Sequence, residues 1–122
     1  MSVTVLVVDD ESVTRRVVAH ALKSISVEVL DAEDGTTALQ LAQANAPALA
    51  LVDINLPDMD GFTVTQELRG IPHMADVPIV IFTARNHAGD EEAAAQAGAQ
   101  GFFYKPFSTQ ELREMVNRYV NP

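Results

Sequence analysis

Along this chain the hydrophobic pattern changes type repeatedly: a short apolar run, then a segment with helical spacing, then another short run. The runs lie at residues 3 to 8, 27 to 30, 48 to 52, 78 to 82 and 101 to 104. They are rich in Val, Ile, Leu and Phe and too short to stand as helices, so they read as five strands. The intervening segments carry apolar residues at helical spacing: Val13, Val17 and Ala21, then Ala38, Leu39 and Ala42, then Val64 with Leu68. The fifth is the clearest, with Leu112, Met115, Val116 and Tyr119 on one stripe behind a Ser108/Glu111 capping box. Asp34 suits the N-cap of the second helix. Residues 89 to 97 favour a helix but offer no large apolar side chain, which predicts a fourth helix that is thinly anchored and comparatively mobile. Strands alternating with helices imply right-handed crossovers and a parallel sheet covered on both faces, an α/β doubly wound fold.

The 122 residues fit a single domain, residues 1–122, with one well-buried core. At 48% hydrophobic and 20% charged the composition is that of a globular chain. Eight basic residues against 17 acidic give a net charge of −9 and no basic stripe, which predicts no direct nucleic-acid binding. Met1 and Ser2 carry no basic n-region, and no apolar stretch approaches the roughly 20 residues of a membrane helix. Cysteine is absent, excluding disulfides and thiolate metal sites, and a cytoplasmic location is the plain expectation.

In doubly wound sheets ligands bind beyond the carboxyl ends of the strands. There this chain places Asp9 and Asp10 after the first run, Asp53 after the third, Thr83 after the fourth, and Lys105 with Pro106 after the fifth. The carboxylates are hard oxygen donors, suited to Mg²⁺ or Mn²⁺ and not to zinc or copper. Their mutual repulsion calls for a cation, and a divalent ion can also bridge to a phosphoryl group. Lys105 adds a second positive charge and Thr83 a hydroxyl donor, so the set suits in-line attack by a carboxylate to give an aspartyl phosphate. Asp53, alone at its strand end, is the expected nucleophile, with Asp10 as a direct metal ligand and Asp9 acting directly or through water.

With these residues in this order the chain resembles the receiver domain of two-component response regulators, in size the single-domain chemotaxis type. The match spans residues 3 to 120 and rests on Asp9-Asp10-Glu11, the stretch Asp53 to Gly61, Phe82-Thr83-Ala84, Ala97-Gly98-Ala99 and Lys105-Pro106-Phe107. The resemblance implies a flavodoxin-like (βα)5 fold with strand order 2-1-3-4-5. It implies that Asp53 accepts a phosphoryl group from a histidine kinase or histidine phosphotransfer protein. Asp10, Asp53 and the backbone carbonyl of Asn55 would bind Mg²⁺, Thr83 and Lys105 would contact the phosphoryl oxygens, and the Lys105-Pro106 peptide would be cis. Such a protein catalyses only its own phosphotransfer and dephosphorylation and is not otherwise an enzyme. The family's switch pair falls on Thr83 and Phe102, a phenylalanine where the chemotaxis type commonly has tyrosine, so a hydroxyl-mediated contact is excluded. Asn55 and Arg85 fall where the family tunes the lifetime of the acyl phosphate. The implied output is a protein partner on the surface of the fourth helix, fifth strand and fifth helix, with the chain a monomer or a phosphorylation-dependent dimer.

Other functions fit less well. A flavin-binding module needs a hydroxyl- and glycine-rich loop after the first strand, where this chain has acids. A haloacid-dehalogenase-type phosphatase needs D-x-D there and usually a cap domain. A pseudo-receiver, an interaction module without the chemistry, would not need all five polar positions. His20, His73 and His87 lack metal-ligand spacing and are expected to be solvated, and Asp90-Glu91-Glu92 reads as a favourable first helical turn.

Overall fold

The computed structural model describes residues 3 to 121; the expectations that touch Met1, Ser2 and Pro122 lie outside the described residues. Strands and helices alternate as β1 (Val3–Val8), α1 (Ser12–Lys23), β2 (Val27–Ala32), α2 (Gly35–Ala44), β3 (Leu49–Val52), α3 (Gly61–Arg69), β4 (Ile79–Thr83), α4 (Asp90–Ala97), β5 (Gly101–Tyr104) and α5 (Thr109–Val120). A single 3-10 turn, Pro72–Met74, interrupts the connection into β4. The sheet runs β2-β1-β3-β4-β5 with every neighbouring pair parallel, the expected flavodoxin-like order.

Side chains alternate across a strand, so a strand buried on both faces must be apolar at every position. In β1, Leu6 and Val8 join a cluster with Ala38, Ala42, Val64 and Leu68 from α2 and α3. Val5 and Val7 join one with Val18, Leu22, Leu112 and Val116 from α1 and α5. The caps follow the sequence. Asp34 accepts from Thr37 N–H at 2.7 Å, Asp60 from Thr63 N–H at 2.8 Å, and Ser108 and Glu111 complete a capping box. On α4 only Asp90, Ala94 and Ala97 are buried, so the absence of a large apolar anchor holds.

One expectation here needs correction. The stripe of α1 is Val18, Ala21 and Leu22, whereas Val13 and Val17 are 63% and 44% exposed. Adjacent Val17 and Val18 lie about 100° apart on a helix, and which of two apolar rows faces inward depends on how the helix docks. His73 is exposed, as expected, and in addition places Nε2 at 2.6 Å from the carbonyl of Ala42 and 3.0 Å from that of Asn45, where α2 leaves carbonyls without helical partners.

Candidate functional site

The parallel ladder continues past the strand ends and fixes the backbone of the site. Asp53 N–H donates to Val8 O at 2.9 Å, Asp9 N–H to Ala32 O at 3.0 Å, and Lys105 N–H to Thr83 O at 2.9 Å. The residues after β1, β3, β4 and β5 thereby converge on one edge of the sheet. Lys105 is joined to Pro106 by a cis peptide, as the resemblance implied. Gly61 closes the loop behind Asp53: its N–H donates to Ile54 O at 2.8 Å, and a Cβ there would stand 2.2 Å from the carbonyl oxygen of Asp53. Asp58 ties the same loop to α2, accepting from the N–H of Gly35 and from the N–H and hydroxyl of Thr36 at 2.7 to 2.9 Å. Those bonds hold its carboxyl well below the usual range, at about 2.

At the floor of the site Lys105 Nζ bridges two carboxylates, Asp9 Oδ2 at 2.5 Å and Asp53 Oδ2 at 3.0 Å. Asp9 is fully buried, Asp53 is 6% exposed and Thr83 is 1% exposed. The remaining oxygens are also engaged: Asp9 Oδ1 accepts from Glu11 N–H at 2.9 Å and Asp53 Oδ1 from Ile54 N–H at 2.7 Å. Lys105 lies 4.8 Å from the centre of the Phe82 ring, which supports the cation from below. Burial pushes the Asp9 carboxyl up despite the Lys105 bond. Burial also disfavours charge on Lys105, but its bonds to Asp9 and Asp53 outweigh that and leave it above its ordinary range.

Above this floor opens a cavity of about 400 Å³ lined by Asp10, Glu11, Asp53, Asn55, Thr83, Ala84, Arg85 and Lys105. Oxygens of Asp9, Asp10 and Asp53 lie within 4.8 Å of one another, and Asp10 is exposed. A set made only of carboxylate oxygens, with one lysine charge against three acids, fits a hard divalent cation. The structure therefore brings together Asp9, Asp10, Asp53, Asn55, Thr83, Arg85 and Lys105, all singled out from the sequence. Phe102 is not among the residues lining the cavity. It is half-buried, packs on the α2/α3 side of the sheet, and has its ring 4.9 Å from that of Tyr104, whose hydroxyl donates to Glu91 at 2.7 Å.

Asp90, Glu91 and Glu92 form the acidic first turn of α4, as read from the sequence, and Asp90 is paired as well. It is 5% exposed, and its two oxygens accept from Arg85 Nε and Nη2, each at 2.9 Å. No helical periodicity links these residues, because Arg85 lies in the loop before α4 and reaches forward to it. Gly61, Asp58 and Phe82 were likewise not assigned to the site. For Gly61 the available signal was a glycine at the mouth of a helix shortly after Asp53.

Comparison with known proteins agrees with this geometry. The family model of the response regulator receiver domain matches residues 5–117. The chemotaxis protein CheY4 of Vibrio cholerae superposes with a TM-score of 0.93 at 30% identity, covering 98% of this chain and 99% of that one. The receiver domain of the sensor histidine kinase PA1611 from Pseudomonas aeruginosa, solved with magnesium in its active-site cleft, superposes with a TM-score of 0.90 at 31% identity over the whole of both chains. "Probable transcriptional regulator ycf27" of Cyanophora paradoxa is 38% identical over 122 residues, covering 97% of this chain and 50% of that protein. The chain thus spans about half the length of the curated relatives it matches. It belongs to the response regulator receiver domain family, the phosphorylatable receivers of two-component signalling, which bind Mg²⁺ at an acidic pocket.

Proposed function

We propose that Asp53 is the phosphoryl acceptor and that the remaining residues of the cavity serve its chemistry. The observation that carries this is the Lys105 ammonium, held between Asp9 and Asp53 at the floor of an open acidic cavity. A carboxylate oxygen of Asp53 attacks the phosphorus of a phosphohistidine on a histidine kinase or histidine phosphotransfer protein. The P–O bond forms as the P–N bond breaks, and the departing electron pair stays on the imidazole, which takes up a proton. Lys105 then exchanges part of its hold on the free carboxylates for phosphoryl oxygens, and the hydroxyl of Thr83 takes another. Asp10, Asp53 and the Asn55 carbonyl, with Asp9 directly or through water, would hold Mg²⁺, which offsets charge on the transferring group. In dephosphorylation water attacks phosphorus, the P–O bond to Asp53 breaks, and phosphate leaves. Asn55 and Arg85, both at the cavity wall, govern how readily that water reacts.

The downstream surface is assigned to α4, β5 and α5, with Thr83 and Phe102 as the switch pair and a cytoplasmic protein as partner. Support comes from the route Asp53, Thr83, Arg85, Asp90: Thr83 Oγ1 accepts from Arg85 N–H at 3.2 Å, and Arg85 grips Asp90 on α4. The test is intact-protein mass after incubation with acetyl phosphate. A Mg²⁺-dependent gain of one phosphoryl group, lost in Asp53→Asn, is expected. No gain in folded protein that binds Mg²⁺, even when phosphorylated histidine proteins are offered, sinks the assignment and leaves an interaction module.

A further inference from the structure

The phosphorylated site has an unbalanced charge. With Asp53 carrying a phosphoryl dianion, Asp9 and Asp10 still ionised, and Lys105 and a divalent ion as the cations, one negative charge is left over even before Glu11 is counted. Among the described residues the other cation lining the cavity is Arg85, and it is already engaged. Its Nε and Nη2 are forked onto Asp90 at 2.9 Å each, while no hydrogen bond from its Nη1 is found among the described residues. Asp90 is 7% exposed at its side chain and Arg85 28%, so the carboxylate is the sheltered partner and the guanidinium the one with room to move. Asp90 also opens α4, and its Oδ2 accepts from His87 N–H at 3.3 Å.

We infer that Asp90 competes with the phosphoryl group for Arg85, so that phosphorylation of Asp53 and the anchoring of the first turn of α4 draw on the same guanidinium. This rests on Asp53 as the acceptor and makes Asp90 a positioning residue acting through Arg85. An arginine forked on a carboxylate presents little net charge to a second anion, and turning it toward the phosphoryl oxygens weakens its hold on Asp90. The coupling is reciprocal: whatever loosens the Arg85–Asp90 fork must favour an anion at Asp53 by the same factor.

The test uses beryllofluoride with Mg²⁺ as a phosphoryl stand-in, titrated at fixed ionic strength against wild type, Asp90→Asn, Asp90→Glu, Arg85→Ala and the Arg85→Ala/Asp90→Asn double variant. Asp90→Asn should bind about fivefold more tightly, the scale of one partly exposed ion pair being exchanged. Asp90→Glu, which keeps the charge, should return to within about twofold of wild type, and the asparagine gain should shrink to under about twofold once Arg85 is absent. Amide exchange in the first turn of α4 should quicken when wild type is loaded and already be quick in unloaded Asp90→Asn. Weaker binding in Asp90→Asn, or a gain that persists undiminished without Arg85, overturns the competition. Wild type that fails to take beryllofluoride, or takes it equally well as Asp53→Asn, overturns instead the assignment of Asp53 and this inference with it.

Discussion

Replacing Asp9 with asparagine should stabilise the metal-free protein while weakening its hold on a divalent cation. Oxygens of Asp9, Asp10 and Asp53 lie within 4.8 Å of one another. At an effective dielectric of about 20 each such pair repels by at least about 3.5 kcal/mol. Lys105 offers one charge to both buried partners, at 2.5 Å from Asp9 and 3.0 Å from Asp53. Asparagine is nearly the same shape, and its one carbonyl oxygen can still accept from Glu11 N–H while its amide group then faces Lys105; the change removes two repulsions and the burial of an ionised group. Against this, Lys105 loses a charge-assisted bond, worth about 1.5 to 3 kcal/mol. Burial outweighs the lysine in setting the Asp9 carboxyl above its ordinary range, so the balance favours the variant. A net gain of about 1 to 2 kcal/mol would raise Tm by about 4 to 8 °C in a domain of this size. The pH dependence has a definite sign. A carboxyl whose folded pKa is raised binds protons more readily in the folded state, so wild type gains on the variant as pH falls through that raised value toward 3.8. The advantage of asparagine should therefore be largest near neutral pH and narrow on acidification. Magnesium at about a hundred times its Kd adds about 2.7 kcal/mol to wild type and less to the variant, which should reverse their order. Urea unfolding with chelator and with Mg²⁺, at several pH values, measures all three. A metal-free variant less stable than wild type at neutral pH, or a gap that widens toward pH 4.5, would refute the reasoning.

Gly61→Ala puts a methyl 2.2 Å from the Asp53 carbonyl oxygen, and backbone must move to admit it. A loss of about 1 to 3 kcal/mol by urea unfolding is expected, with phosphorylation by acetyl phosphate slowed about tenfold or more because the backbone displaced is that of the proposed nucleophile; an unaltered rate would mean the loop tolerates the shift. Asp58→Asn tests the clamp on α2: a fall from 3.8 to about 2 sets a ceiling of about 2.5 kcal/mol, which solvent screening of an exposed carboxylate reduces to about 1 kcal/mol. Because that folded pKa is depressed, the contribution is complete above pH 3.8 and lost as pH falls through about 2, so the two proteins' unfolding curves should converge over that window. Asn55→Ala should change the decay rate of the phosphorylated protein severalfold with little change in unfolding midpoint, whereas Arg85→Ala should change decay similarly and also lower the midpoint, because it leaves the buried Asp90 carboxylate unpaired; unchanged decay in both would count against their proposed role in dephosphorylation.

Much of this was legible from sequence because the fold converts chain position into spatial position so simply. In a parallel sheet every strand points the same way, so a polar residue after each apolar run must arrive at the same edge. Asp9, Asp53, Thr83 and Lys105 could be gathered on that rule alone. What escaped depends on how elements dock. Val13 and Val17 form as good a stripe as the one α1 buries, and the choice between rows is made by α5 and the sheet. His73 acts through carbonyls about thirty residues earlier, and Asp58 through amides of α2 over a similar span. Arg85 and Asp90 are close in sequence, yet they are joined by a loop whose path no periodicity specifies.

The weak anchoring of α4 takes on meaning beside these polar contacts. Helices α2 and α3 enter the core through Ala38, Ala42, Val64 and Leu68, whereas α4 offers Ala94 and Ala97. An alanine buries little area at about 25 cal/mol per Å², so polar contacts take a larger share in holding α4 than in holding its neighbours. Those contacts include the fork of Arg85 on Asp90, the hydroxyl of Tyr104 on Glu91 and, at the far end, Arg69 of α3 on the carbonyl of the C-cap Gly98. Of the first two, one begins at the wall of the phosphoacceptor cavity and the other on β5, two residues from Phe102. A helix held by a large apolar face would hardly respond to one added charge, because burial is indifferent to sign. A helix held by ion pairs and hydrogen bonds can be shifted by the 1 to 3 kcal/mol typical of coupling between sites. On the proposal that Asp53 is the phosphoryl acceptor, the alanine-rich sequence of α4 would be what makes it responsive: by leaving its attachment to charged groups, it would let an electrostatic event at Asp53 reach the surface.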